Sequence, residues 1–528
     1  MTGSFLPARV SLGAVEADVV KRLAEMDASH VVQRIWEKDP SVWGGDAKTL
    51  ELSDRLGWLG LTEDAASSVK GWQAWAKQIA AEFERVVLCG MGGSSLAPEV
   101  LARVVGGAAG YPEFVMLDST APSAVSAVDR AGTLFIISSK SGSTLETMSF
   151  FAYLWESERG RGERFVAITD PGTSLERLAK ESKFRYVVNA PRDVGGRFSA
   201  LTPFGLLPAT LVGVDVEKVV GSGSQMETMC KSFEAAANPG AWLGAVIGQA
   251  ALAGRDKLTM VLSPALRAFG LWVEQLVAES TGKQGKGILP VVEWEVGELK
   301  EYGEDRVFVS VRLADEENGA TDDALDRLEQ DGHPVVRYIL PDRFSIGAEF
   351  FRWEFATAVA GHILGVNPFD QPNVQEAKVL AGEFLAGDKT TDLQYSDSVA
   401  VREFLQRVSG GDYVALQVYV APDANLDERL NEIQSRVRKK YGIVLTWGYG
   451  PRYLHSTGQL HKGGPPRGWF VQVVDEIDRG PTLAGEDYGF GNILKAQADG
   501  DCQALSDRGL PVVRVDSLDI VAEALVLP

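Results

Sequence analysis

Five short apolar runs, RVVLCG, EFVMLD, TLFIISS, RFVAITD and FRYVVNA, lie between Arg85 and Ala190 with helix-patterned segments between them, and they constrain the fold most. Runs rich in valine, isoleucine and phenylalanine that alternate with helices have the rhythm of parallel βαβ units, whose strands are buried on both faces. They predict a doubly wound domain over residues 81–235. A second α/β region, 236–400, has strand-like KLTMVLS, RVFVSVRL and PVVRYIL, with helical patterns around 266–281, 347–364 and 372–386. The stretch 401–528 adds YVALQVYV, IVLTWGYG, WFVQVV and PVVRVDS. Residues 1–80 read as a helical segment with connecting loop, anchored by Trp36, Trp43, Trp58, Trp72 and Trp75.

One internal echo bears on domain organisation. LEQDGHPVVRYIL at Leu328 and LSDRGLPVVRVDS at Leu505 share a helix-end glycine, a proline and a Val-Val-Arg strand. Two related βαβ pieces therefore lie in one sheet or in neighbouring sheets.

Composition narrows the function classes. At 528 residues the chain is too long for one core, and 45% hydrophobic with 23% charged residues is ordinary for a soluble globular protein. A net charge of −20 argues against nucleic acid or an anionic membrane as the main partner and leaves room only for a local anion pocket. Cys89, Cys230 and Cys502 are few and far apart, so neither a disulfide framework nor a zinc cluster is expected, and a reducing cytoplasm fits. The amino terminus shows no signal-peptide pattern, and no run approaches the length of a membrane span.

Chemistry is expected where the strands end. GMGGSS follows RVVLC and opens a helix, so its glycines allow a sharp turn while Ser94 and Ser95 face the crevice beyond the strand ends. SSKSGSTLET places Ser139, Ser141, Ser143 and Thr144 before a helix whose free N–H groups can receive a phosphate, more hydroxyls than capping requires. Neither a Walker lysine pattern nor a Rossmann glycine spacing is present. In GGRFSALTPFG, Arg197 follows paired glycines, placed to approach a ligand oxygen and to stabilise an anionic intermediate. Gln275 and Glu279 are four apart on one helix face. Glu274 and Glu279 both sit in an otherwise apolar segment, so at least one is expected in a crevice where burial raises a carboxyl towards a useful base. Gln371 and Lys378, seven apart, occupy one face of a helix with Pro372 in its first turn.

In order from about residue 85 to 380, these segments resemble the glucose-6-phosphate isomerase (phosphoglucose isomerase) family, built from two sugar-isomerase (SIS) domains. They resemble most the isomerase portion of bacterial transaldolase/glucose-6-phosphate isomerase fusions, although the chain has no evident room for a transaldolase barrel. The resemblance implies two doubly wound, mainly parallel sheets with flanking helices. It also implies an aldose–ketose isomerase of a phosphorylated hexose that needs no metal or redox cofactor. In it Ser139, Ser141 and Thr144 hold the sugar phosphate with Thr147 close by. Gly93, Ser94 and Lys140 line the same pocket, and Gln275, Gln371 and Lys378 complete it. Glu279 shuttles the proton, and Arg197 stabilises the cis-enediolate.

The family also needs a ring-opening histidine in a segment His-Ser-x-Gly-Gln, placed between the glutamate helix and the Gln-to-Lys helix. Here that stretch holds only His333 and His362, whereas LHSTGQLHKGG comes after Lys378. His455 is therefore matched to the ring-opening residue, with Lys378 assisting, and His461 lies nearby. The second SIS domain is read as permuted, with 401–528 completing it. The family's histidine commonly comes from a second subunit, so a homodimer and action in cis or in trans both stay open. Two alternatives remain. A non-catalytic SIS regulator would need the hydroxyl loop but not Glu279, Arg197 or His455, and an isomerase of broader specificity would also accept mannose 6-phosphate.

Overall fold

In the computed structural model, which describes residues 5–526 apart from positions 47, 50, 129, 392 and 476, the apolar runs become strands of three sheets. In chain order these are β1 (Arg9–Ser11), β2 (Arg85–Gly90), β3 (Glu113–Leu117), β4 (Thr133–Ser138), β5 (Phe165–Thr169), β6 (Tyr186–Asn189) and β7 (Lys257–Leu262). They continue as β8 (Leu289–Glu293), β9 (Arg306–Leu313), β10 (Val335–Leu340), β11 (Tyr413–Tyr419), β12 (Val444–Tyr449), β13 (Gly468–Val474) and β14 (Val512–Val515).

The first sheet has the order β3-β2-β4-β5-β6 and is parallel throughout, with Val86 opposite both Phe114 and Leu134. The order in which successive strands are added reverses between β2 and β4, which opens a crevice at their carboxyl ends. The second sheet, β1-β10-β9-β7-β8, is parallel except for β1, which pairs antiparallel with β10. The amino-terminal segment thus contributes a strand as well as helices. Its helices Glu16–Ala28, Val31–Trp36 and Leu61–Ala80 share one core with the first two sheets. Trp58 packs on Phe198, Phe351 and Phe355, Trp36 stacks on Phe351, and Trp43 meets Phe369 edge-on.

The centre of that core is the helix Ile346–Leu364, buried along nearly its whole length. Each large side chain it hides, Trp353 and Phe350 among them, is worth about 1.5–3 kcal/mol relative to exposure. Helix Pro239–Leu252 lies against it so closely that a Cβ on Gly244 would stand 2.5 Å from the Ala356 carbonyl oxygen. Its one buried carboxylate–guanidinium pair, Glu349 and Arg352 at 3.1 Å, is enclosed there.

The alternation of parallel strands and helices is as expected, but the C-terminal strands do not complete the second sheet. They form a third, β12-β11-β13-β14, also parallel. The edges β8 and β12 approach each other without pairing. Leu289, Val291, Ala415, Val444, Leu460 and Phe470 fill the seam, so apolar packing joins the two sheets there. The two echoed segments accordingly end as β10 in one sheet and β14 in the other. Their glycines, Gly332 at φ +91° and Gly509 at φ +70°, take the left-handed conformation glycine tolerates, which accounts for the shared residue. Among the described residues no helix is long and apolar enough to cross a membrane.

Candidate active site

A cleft of about 740 Å³ opens at the carboxyl ends of β2 and β4 and brings together residues from all three sheet units. Gly93, Ser94, Lys140, Ser141, Thr144, Arg197, Gln275, Glu279, Gln371, Lys378 and His455 all line it. Four expected residues do not, among them Ser95, which is fully buried with its hydroxyl donating to the Gly92 carbonyl at 3.1 Å, and Ser143, which is exposed outside the cleft. Ser139 is buried behind the wall, where its hydroxyl accepts from the Gly142 N–H at 3.1 Å and bonds the Thr144 hydroxyl at 3.0 Å. Thr147 is also fully buried, one turn into the helix, where its side chain faces the interior.

The loop from Ser138 to Thr144 hands over to helix Leu145–Ser157, with Thr144 in the N-cap position. Its hydroxyl makes no capping bond and pairs instead with the Ser139 hydroxyl, so it does not satisfy the N–H groups of the first turn. Lys140 bridges to Asp170 at 2.5 Å and to the Arg192 carbonyl at 3.1 Å. The positive end of the helix and this ammonium face the same end of the cleft.

At the other end Arg197, only 3% exposed, has its whole fork engaged. Nε donates to Ser280 Oγ at 2.8 Å, and one terminal nitrogen donates to the carbonyls of Pro368 and Asp370 at 2.7 and 2.8 Å. The other donates to Gln371 Oε1 at 2.8 Å and lies 3.4 Å from Glu279 Oε1, both side chains of the cleft. The close fit of this loop explains a glycine: a Cβ on Gly93 would meet the Gly196 carbonyl oxygen at 2.1 Å.

Helix Arg267–Thr281 supplies Gln275 and Glu279, with Gln275 Nε2 3.2 Å from Glu279 Oε2. The carboxyl that burial raises on this helix is Glu274, pushed up to about 8 against the opposing charge of Arg452. It faces a separate crevice with Arg103, Asp427 and Trp447. The expected crevice carboxyl raised by burial is thus Glu274, whereas the carboxyl that lines the cleft is Glu279, because five positions along a helix turn a side chain to another face.

The displaced histidine reaches the cleft. The turn Arg452–His455 follows β12, and Gln275 Nε2 donates to the His455 carbonyl at 2.7 Å. The ring's Nε2 lies 2.9 Å from Glu146 Oε1, which also accepts from Gln497 Nε2 at 2.7 Å. Burial alone would raise the Glu146 carboxyl, but the charge and hydrogen bond of His455, with the charge of Lys378, hold it at about 2. His461 stays outside the cleft: it is buried among Tyr413, Tyr453 and Phe470, and burial lowers it to about 3.

The sequence matches the phosphoglucose isomerase family model over residues 53–305. Among curated relatives, the glucose-6-phosphate isomerase of Rubrobacter xylanophilus is 29% identical over 55% of this chain and 79% of its own. That of Exiguobacterium sibiricum is 28% identical over 62% and 86%. A solved glucose-6-phosphate isomerase from Chlamydia trachomatis superposes with a TM-score of 0.53 at 16% identity, over 71% of this chain and 85% of that one, a likeness of fold.

Residues 53–305 carry a phosphoglucose isomerase domain.

The stretch matched by the family model takes in the hydroxyl loop, Arg197 and Glu279 and stops before Gln371, Lys378 and His455, which join them only in space. Two further side chains, buried behind the wall of this cleft and bonded to residues of it or of its loops, were missed. Glu146 lies inside the quoted hydroxyl segment, and the available signal was a lone carboxylate in the apolar helix LETMSFFAYL. Lys283 is buried beside Arg197, 2.8 Å from Asp370 and bonded to the Asn367 carbonyl at 2.5 Å. Burial and the Arg197 charge lower it to about 7. It pins the loop 367–371 that presents the carbonyls of Pro368 and Asp370 and the side chain of Gln371 to Arg197.

Proposed function

We propose that the protein interconverts glucose 6-phosphate and fructose 6-phosphate through a cis-enediolate, with Glu279 carrying the proton between C2 and C1. The observation that carries this reading is the convergence on one cleft of a phosphate-type loop, Glu279, the Arg197 fork and the His455–Glu146 pair. A regulator that only held a phosphosugar would need the first of these and not the rest.

The phosphate sits at the amino end of helix Leu145–Ser157, against Ser141, Thr144 and Lys140. It is remote from the reacting carbons, so it contributes binding energy and orientation. Glu146 is held ionised and can only accept, so Nε2 of His455 is the donor in that pair and Nδ1 exchanges the proton with the ring oxygen. Lys378 assists there. Glu279 then takes the C2 proton and returns it to C1. Arg197 meets the developing negative charge by trading its Gln371 or Glu279 contact for a substrate oxygen, and its remaining bonds keep the fork in place meanwhile. All these groups belong to one chain, which supports action of His455 in cis.

A coupled assay that follows glucose 6-phosphate formed from fructose 6-phosphate tests the reading, with mannose 6-phosphate as a second substrate. Turnover of fructose 6-phosphate is expected. Binding of both sugars without turnover would establish the regulator instead.

A further inference from the structure

Three residues before His455, the same short turn sends a second side chain towards the first sheet unit. Arg452 Nε donates to Asp118 Oδ2 at 2.6 Å, and its NH2 lies 3.0 Å from Glu99 Oε2. Asp118 follows the end of β3, and Glu99 belongs to helix Leu96–Val104. Both carboxylates are buried, at 4% and 2% exposure. A guanidinium carried by the third sheet unit is thus seated in two carboxylates of the first.

We propose that Arg452 is the positioning residue that seats His455 against Glu146. In a 3₁₀ turn residues i and i+3 project on the same side. Arg452 and His455 are spaced in this way, and both side chains end on the first sheet unit. Two contacts hold His455 itself, the ring to Glu146 and the carbonyl to Gln275. Neither fixes the rotation of the turn about its own axis. The Arg452 fork does, because two different nitrogens meet carboxylates from two different elements, a planar arrangement that a lysine ammonium cannot reproduce. The opposite side of the turn is braced by Tyr453, whose hydroxyl donates to Asp501 at 2.6 Å and bonds the Tyr419 hydroxyl at 2.7 Å. A ring-opening group placed by a segment remote in sequence from the rest of the cleft needs such an anchor, since no helix or strand of the first sheet unit carries it.

The inference rests on His455 as the ring-opening residue, and the test separates the two ideas. Arg452→Lys keeps the charge and loses the fork. Arg452→Met together with Asp118→Asn and Glu99→Gln removes the guanidinium and the two carboxylates it bonds, so neither of those is left as a bare buried charge. In both, kcat for cyclic glucose 6-phosphate should fall tenfold or more with KM within about twofold, while exchange of the C2 proton from open-chain substrate is retained. Combined with His455→Ala, either variant should be no less active than His455→Ala alone, and without that substitution the 15N signals of the His455 imidazole should move. Wild-type kcat with unmoved imidazole signals would overturn the anchor. So would an equal fall in both reactions, or losses that multiply with those of His455→Ala. Moved signals with wild-type kcat would keep the anchor and overturn ring opening by His455.

Discussion

The Nε2 atom of His455 lies 2.9 Å from Oε1 of Glu146, although the two residues are 309 positions apart. The pair joins helix Leu145–Ser157 to the turn after β12, and it commits Nε2 of the ring to Glu146. It also ties this site to the pH dependence of folding.

Glu146 is held at about 2 against an ordinary value of 4.5, so its stabilisation is complete above about pH 4.5 and is lost as pH falls towards 2. The difference corresponds to about 3 kcal/mol. Chemical denaturation of the wild type should therefore weaken more steeply across that window than denaturation of Glu146→Gln, which has no proton to bind. Parallel curves for the two proteins would show that the carboxylate is not stabilised by its pairing.

Glu279→Gln keeps the size of the side chain and the contact with Gln275 but removes proton acceptance. Turnover should fall by at least about a hundredfold with the sugar phosphate still bound. Steady-state kinetics and calorimetric titration with fructose 6-phosphate check the two halves, and near-normal turnover would remove Glu279 from the proton path.

Gly92 tests how tightly the histidine turn is packed. At φ +54° a Cβ there would stand 2.8 Å from Gln275 Nε2 and 2.9 Å from the His455 carbonyl oxygen, the two atoms that Gln275 joins. Gly92→Ala should cost more than tenfold in turnover. Gly285→Ala, at φ +73° with open space around it, should cost only the backbone strain of about 1 kcal/mol. Comparable activities in the two variants would mean that the turn yields without consequence.

The elements were legible in the sequence because a parallel strand buried on both faces is a nearly continuous apolar run, and β2, β4 and β5 are such runs. Sheet membership was not, since the pairing partner of a strand is not written in its own residues. β12 has the composition to extend the second sheet, yet it pairs with β11 and only packs near β8. β1 is three residues long and becomes a strand only because β10 offers it an edge. The same limit applied at the site. Ser141 and Thr144 line the cleft as their motif suggests, whereas Ser139 and Thr147, equally polar in sequence, are turned inward by the geometry of the loop and the first helical turn. Glu146 and Lys283 resemble any helical glutamate or loop lysine until His455 and Asp370 are brought beside them.

A last prediction concerns the number of chains that make one active site. His455 and Glu279 face the same cleft of one chain, and the His455 carbonyl is bonded at 2.7 Å to Gln275 of the helix that carries Glu279. Glu279→Gln and His455→Ala, each inactive on cyclic substrate, should therefore stay inactive when co-expressed and purified together. If the histidine came from a second subunit, mixed dimers would hold one site with both wild-type residues. Random pairing would then restore about a quarter of the wild-type sites. Activity per milligram of the wild type should likewise be constant on dilution, because the proposed site takes Arg197, Glu279, Lys378 and His455 from one chain. Recovery of activity in the mixture would assign the histidine to the partner chain and overturn the placement of His455 in cis.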